Sequence, residues 1–252
     1  MDLTEFLAQI VERKASDGFA TVGSVPTYKV DGELMGAGET ALESDDVTAL
    51  IKASMSGDQF DHYLQSHDAN YAIEHPDLGR FRASAYVQRE QPGLVVRRIH
   101  HEIPNFDVLG LPSQLKELSL LKRGLVIIVG ATGAGKSTTL ASMVDFRNRI
   151  RHDHIITVED PIEYVHQHQK SIISQREVGV DTESFDVALK SALRQAPNVI
   201  MIGEVRDAET MRIALSYAET GHLCLCTLHA GGTKQALERI QSFFPEEQVR
   251  RL

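Results

Sequence analysis

Eight residues constrain this chain more than any other stretch: Gly130, Ala131, Thr132, Gly133, Ala134, Gly135, Lys136 and Ser137, which fit the pattern G-x-x-x-x-G-K-[ST]. They follow the apolar run LVIIV and lead into a helix-forming segment. Strand, glycine loop and helix in that order make a phosphate cradle. Glycines let backbone N–H groups curl around a β-phosphate, and the helix N-terminus adds its dipole. Lys136 is placed to reach the β- and γ-oxygens and Ser137 to ligate Mg²⁺, so residues 130–138, closing with Thr138, read as a site for ATP with Mg²⁺.

Such a loop belongs to a parallel sheet, and the chain from 123 onward has the matching rhythm. Apolar stretches (LVIIVG, HIITVE, NVIMIG, LCLCTLH) alternate with helical patterns at 136–149, 184–195, 207–219 and 233–242. Alternation of this kind predicts an α/β domain, a mainly parallel sheet covered on both faces. Before it the texture differs. Leu3, Phe6, Leu7, Ile10 and Val11 recur at helical spacing over 2–14, and Asp31-Gly32 marks a hairpin turn. Helical patterns at 44–56 and 58–66 then precede strand-like NYAIEH, GRFRASAYVQRE and GLVVRRIHH. We expect a small α+β domain over 1–103, a linker over 104–117 that enters a short helix at 113–121, and the nucleotide domain over 118–252.

A phosphate loop hydrolyses nothing without carboxylates. Two acidic segments lie at strand ends downstream: ITVEDPIEY, with Glu159, Asp160 and Glu163, and NVIMIGEVRD, in which an apolar strand delivers Glu204 to the edge where ligands gather in open α/β sheets. Either alone reads as a solvated strand end or a helix cap. Placed together after the loop, they point to chemistry. Arginine is the other requirement, because charge building on a γ-phosphate needs a cation. Arg82 and Arg97 stand on neighbouring strands of the first domain, while Arg194 and Arg206 are candidate partners of Glu204 or Asp207.

TGHLCLCTLHA (220–230) raises a rival chemistry, since His222, Cys224, Cys226 and His229 are all metal-ligand types and hold the chain's two cysteines. A strand this apolar buries both faces, so both thiols read as core fillers. His229, at the C-terminal edge with the loop and Glu204, is placed to sense a γ-phosphate; His222 stands at the opposite end, where a subunit boundary would give it a role. His100, His101, His166 and His168 lack Cys or carboxylate partners at ligand spacing and read as solvated loop residues.

Composition narrows the partners. A net charge of −9 and a pI near 5.6 argue against gripping a nucleic-acid backbone. No apolar run approaches the roughly 18 residues that span a bilayer, and the N-terminus has no signal core. The chain is expected to be cytoplasmic.

Taken in order, GATGAGKST, ITVEDPIEY, QREVGVDT, ALRQAPNVIMIGEVRD and AETGHLCLCTLHA resemble the hexameric secretion-type ATPases that drive type IV pili and type II secretion. HQHQ, RQAPNVIMIGEVR and QALERIQSFFP are most similar to the twitching-motility retraction branch of the PilT/PilU type, and to its PilU-type members in particular. Extension and secretion motors usually carry a four-cysteine zinc module, which two cysteines cannot form. The resemblance implies a PAS-like N-terminal domain and a RecA-like motor domain. It also implies hydrolysis of ATP with Mg²⁺ in a homo-hexamer, or in a mixed hexamer with a related retraction ATPase, peripheral to the inner membrane through a pilus platform protein.

Among the residues, it implies Lys136 and Ser137 at nucleotide and Mg²⁺, Glu163 as catalytic glutamate, Glu204 at the Walker B position, and His222 and His229 as a His-box pair. Arg82 and Arg97 would reach nucleotide across a subunit boundary. Relatives of this type continue past FFPEEQVRRL, so the C-terminal part of the motor domain is expected to be missing here, leaving apolar surface uncovered. Two alternatives remain: a nucleotide-binding subunit without turnover that serves as an interaction module, and a nucleic-acid translocase on the same core.

Overall fold

The computed structural model describes residues 1–99 and 102–244, so His100 and His101 lie outside the described residues. The chain divides into two compact units, Met1–His100 and His101–Leu252.

The first unit runs α1 (Leu3–Glu12), β1 (Asp17–Thr21), β2 (Thr27–Val30), β3 (Glu33–Gly36), α2 (Ser44–Ser54), α3 (Gly57–Ser66), β4 (Asp68–His75), β5 (Gly79–Gln88) and β6 (Gln91–Arg98). Its sheet has the order β3-β2-β1-β6-β5-β4, and every pairing is antiparallel. Asp31 and Gly32 both take positive φ, 51° and 88°, the conformation that lets a two-residue turn follow the twist of the strands it joins. One face of the sheet is the core. Phe81, Ala83 and Ala85 alternate along β5 with Arg82 and Ser84, and the buried set packs with Phe6, Leu7 and Ile10 of α1 and Val47, Leu50 and Ile51 of α2.

In the second unit, α4 (Gln114–Ser119), β7 (Gly124–Gly130), α5 (Lys136–Ile150), β8 (His154–Glu159) and β9 (Ile172–Glu177) come first. Then follow α6 (Phe185–Ala192), β10 (Val199–Ile202), α7 (Ala208–Glu219), β11 (Leu223–His229) and α8 (Thr233–Ser242). The five strands are all parallel, in the order β7-β11-β10-β8-β9. Neighbouring side chains of β11 go to opposite layers. Cys224 and Cys226 join Met211, Ala214 and Tyr217 of α7, while Leu223 and Leu225 join Leu140, Met143 and Val144 of α5. This is the two-faced burial expected of apolar strands with little alternation.

Two segments differ from their sequence texture. Residues 104–117, which read as a linker, are packed: Phe106 is buried among Leu140, Met143 and Val144, and Ser142 Oγ donates to the Pro104 carbonyl at 2.6 Å. Strand β9 had no apolar run to announce it. It is an edge strand whose Ile172 is 62 % exposed, so only part of it needs apolar residues. Among the described residues no helix is long and apolar enough to cross a membrane.

Candidate nucleotide site

Glycine geometry shapes the loop between β7 and α5. Gly133 and Gly135 take φ of 77° and 83°, the left-handed region that a side chain resists. At Gly130 an added Cβ would come within 3.0 Å of Ala134 Cβ, because the loop doubles back on its own strand. Ala131 to Gly135 are all exposed, with their amides ahead of the first turn of α5. Lys136 is only 9 % exposed and donates from Nζ to the Ala131 carbonyl at 2.9 Å, folding its ammonium across the loop it would share with a phosphate. Thr138 Oγ1 meets the Tyr164 hydroxyl at 3.3 Å and links the helix to the acidic segment after β8.

That acidic segment holds two carboxylates in contrasting settings. Glu163 is exposed; Glu159, the last residue of β8, is 8 % exposed. Burial pushes the Glu159 carboxyl up from 4.5 to about 7, against the pull of hydrogen bonds from Thr157 Oγ1 (2.6 Å) and Gln175 Nε2 (3.1 Å) on its Oε1, with Glu163 and Glu177 adding to the rise. A carboxyl in that range exchanges a proton near neutral pH.

Just beyond β10 the chain runs close against β8: a Cβ on Gly203 would lie 3.3 Å from Glu159 Cα, and Gly203 N donates to the Val158 carbonyl at 2.8 Å. The next residue, Glu204, bonds Arg206 through one oxygen and stands 3.3 Å from His229 Nε2 through the other. Arg206 also reaches Asp160 at 3.2 Å, and its pKa is raised chiefly by the Glu204 bond. Arg206 therefore takes Glu204, while Asp207 caps α7 by accepting from Thr210 N at 2.8 Å. Thr227 Oγ1 donates to the Gly203 carbonyl at 2.6 Å and holds β11 beside this turn.

One cavity of about 190 Å³ gathers these groups: Lys136, Ser137, Glu159, Glu163, Glu204 and His229 all line it. Thr132 and Gly133 complete the glycine side. The donors around Ser137 and Glu204 are hard oxygens, which suits Mg²⁺. Among the described residues no group of three or more His, Cys, Asp or Glu is arranged to hold a metal ion by itself, so the remaining ligands would be phosphate and water.

Arg82 and Arg97 are in the first unit. They face each other across β5 and β6, and Arg97 Nε donates to the buried Asp17 carboxylate at 2.7 Å. Asp17, in register with Arg97 on β1, supplies an anion against the repulsion of two like charges placed opposite each other.

His166 corrects its sequence assignment as a solvated loop residue. It is 7 % exposed, and burial pushes its ring down to about 4, so it is neutral at physiological pH. Its neighbour His168 is exposed, and accepts at Nδ1 from Ile173 N at 3.1 Å. Cys224 and Cys226 are free and fully buried; burial raises both thiols, Cys226 to about 12, which keeps them protonated. His222, just before β11, is fixed locally. Its carbonyl accepts from Gly124 N at 3.0 Å and its ring stands edge-on to Tyr217 at 5.6 Å.

Thr157, Gln175 and the buried state of Glu159 were not apparent from sequence. They depend on the pairing of β8 with β9, which puts Thr157 beside Gln175 and which no apolar run in residues 172–177 announces.

Over residues 3–248 the chain matches the family described as "Type II/IV secretion system protein". It is 52 % identical over 247 residues to the type IV pilus ATPase PilU of Pseudomonas aeruginosa, covering 98 % of this chain and 65 % of that one. To the type IV pilus retraction ATPase PilT of the same organism it is 41 % identical, covering 98 % and 72 %. A crystal structure of the pilus retraction motor PilT with bound ADP superposes with a TM-score of 0.95 at 40 % identity, over 100 % of this chain and 74 % of that one. The chain thus spans about two thirds to three quarters of the length of these relatives.

Proposed function

The chain belongs to the type II/IV secretion system protein family, and from that premise we propose that it is a Mg²⁺-dependent ATPase whose turnover powers retraction of a type IV pilus. The observation that carries this is the convergence of Lys136, Ser137, Glu163, Glu204 and His229 on one cavity beside a glycine loop. The names of the PilU and PilT relatives and the ADP bound in the PilT crystal structure support the same ligand and task.

In this mechanism the exposed loop amides and the helix N-terminus bind the phosphates, and Lys136 leaves the Ala131 carbonyl for a β/γ oxygen. Ser137 and Glu204 would hold Mg²⁺, directly and through its water shell, and the ion supplies charge neutralisation on the phosphates. Glu163, exposed in the cavity wall, orients and deprotonates the attacking water. His229, held by Glu204, reads the γ-phosphate. Arg82 and Arg97 supply cationic charge to nucleotide across a subunit boundary, which requires self-association, as a homo-hexamer or in a mixed ring with a related retraction ATPase. The motor is cytoplasmic and meets the inner membrane through a pilus platform protein.

Turnover and mass in solution, measured for this chain beside Lys136→Ala and Glu163→Ala, test the proposal. Hydrolysis that both substitutions abolish, from an assembled species, is the expected result. Nucleotide binding with background hydrolysis and a monomeric mass would replace the motor with an interaction module. Salt-dependent binding of single-stranded DNA would favour a translocase instead.

A further inference from the structure

Gln175 stands in the middle of β9, in register with Thr157 of β8, and both ends of its amide are engaged. Nε2 donates to Glu159 Oε1 at 3.1 Å and to the Tyr164 carbonyl at 3.0 Å; Oε1 accepts from His166 N at 2.7 Å. The amide has only one workable orientation. Turned over, its oxygen would face two acceptors and its NH₂ a donor, losing all three bonds.

These three bonds tie one side chain to both ends of the acidic segment. Glu159 is the last residue before residues 160–163, and Tyr164 and His166 are the first and third after Glu163. At the base of that loop, Glu177 at the end of β9 accepts from Ile162 N at 3.1 Å. On the carboxylate itself, Gln175 and Thr157 both take Oε1, which leaves Oε2 for the cavity that Glu159 lines.

We propose that Gln175 is a positioning residue for the nucleotide cavity: by clamping Glu159 and the 164–166 backbone together it fixes where Glu159 and Glu163 stand. The proposal rests on the ATPase reading above. Gln175 touches neither nucleotide nor water in this role; it acts through the two glutamates. The charged groups around Glu159 are Asp160 and Glu163 in its own loop, Glu177 on β9 and, on the other cavity walls, Lys136 of α5, Glu204 and His229. Against that largely acidic ring the Gln175 N–H favours the ionised form of Glu159, so losing it moves the proton affinity of the carboxyl upward.

The test uses two variants of the full chain. Gln175→Met keeps the shape and removes all three bonds; Gln175→Glu keeps the acceptor for His166 N–H and replaces the donors with a charge facing Glu159. Hydrogen exchange at the His166 amide should become roughly tenfold faster in Gln175→Met, the protection lost with one hydrogen bond, and stay near wild type in Gln175→Glu. Turnover should fall roughly 10- to 100-fold in both, the cost of reacting groups displaced by a fraction of an ångström, with the Kd for a fluorescent ADP analogue unchanged. The acid limb of the pH–rate profile should move to higher pH in both.

Wild-type exchange at His166 in Gln175→Met overturns the proposal whatever the activity. So does faster exchange with unchanged turnover and pH profile. A wild-type chain with no turnover defeats the ATPase reading separately, and Gln175 is then judged on exchange at His166 alone.

Discussion

The five parallel strands end in two different chemistries. At the C-terminal edge are Gly130, Glu159, the turn holding Glu204, and His229, all lining or adjoining one cavity. Glu159 is buried there with a carboxyl pushed up to about 7. At the N-terminal edge the polar groups are paired off within the protein. His154 donates from Nδ1 to the Gln195 carbonyl, which can only accept, at 2.9 Å, and its Nε2 is hydrogen-bonded with Ser174 Oγ at 2.9 Å. Asn198 Oδ1 accepts from His154 N at 2.8 Å. One edge spends its polar residues on holding strands together. The other gathers its charged groups, several of them paired with one another, around a cavity, and substitutions should separate the two.

The largest expected effect is on turnover. In the proposed mechanism Lys136→Ala removes the cation that would meet the β- and γ-oxygens, and should cut kcat/KM roughly 10²- to 10³-fold, as loss of a preorganised donor does elsewhere. Among the described residues its side chain makes one hydrogen bond, to the Ala131 carbonyl in the exposed loop, so the melting temperature should barely move. A large fall in Tm would break the comparison, because it would make the C-terminal edge structural as well.

Next comes Glu159→Gln. The folded protein holds the Glu159 proton more tightly than the unfolded chain, with the pKa at about 7 against 4.5. Between those values the folded state carries the extra proton, so stability from this group falls as pH rises through the window, and above it the ionised carboxylate costs on the order of 3 kcal/mol. Glu159→Gln is neutral and keeps an acceptor for Thr157 and Gln175. It should therefore raise Tm at pH 8 and lose that advantage at pH 5, as thermal melts at the two values would show. A variant less stable than wild type at pH 8 overturns the account of the buried carboxyl.

The N-terminal edge should answer in the opposite sense. His154→Ala removes both ring bonds joining β8 to Ser174 of β9 and to Gln195, costing about 1–2 kcal/mol in denaturant melts while leaving kcat at the wild-type value. A loss of turnover without loss of stability would show that the edges are coupled.

What could be read in the sequence follows from how local each signal was. The loop at 130–137 declares itself because glycine positions and a following helix are short-range requirements, and the apolar strands β7, β8, β10 and β11 because both faces are buried. Glu204 and His229 follow from those strands, since a residue at a C-terminal strand end has nowhere else to go. His166 was misread because its burial depends on what packs over the loop, which its neighbours His168 and Gln167 do not reveal. Gln175 was invisible for a related reason: its partners are 16, 11 and 9 residues away and meet it only once β9 pairs with β8 in one register.

The smallest effect concerns Cys226, the residue type that most invites a metal. It packs with Ile156, Ile202 and Tyr217 in a layer closed to solvent, and its thiol stays protonated up to about 12. Its layer offers no further zinc-ligand type, and among the described residues no group of three or more His, Cys, Asp or Glu is arranged to hold a metal ion; burial raises the Cys224 thiol in the same way. Cys226→Ala therefore removes only a small apolar volume and should cost about 1 kcal/mol, with turnover intact. Cys226→Ser, nearly isosteric, should cost more than alanine, because it brings a hydroxyl into a layer built from apolar side chains. Melts of the three proteins with and without one equivalent of zinc give the ranking directly. Serine as stable as cysteine, or a zinc-dependent rise in Tm confined to wild type, would return this strand to metal chemistry and end the contrast between a purely packed β11 and its charged tip.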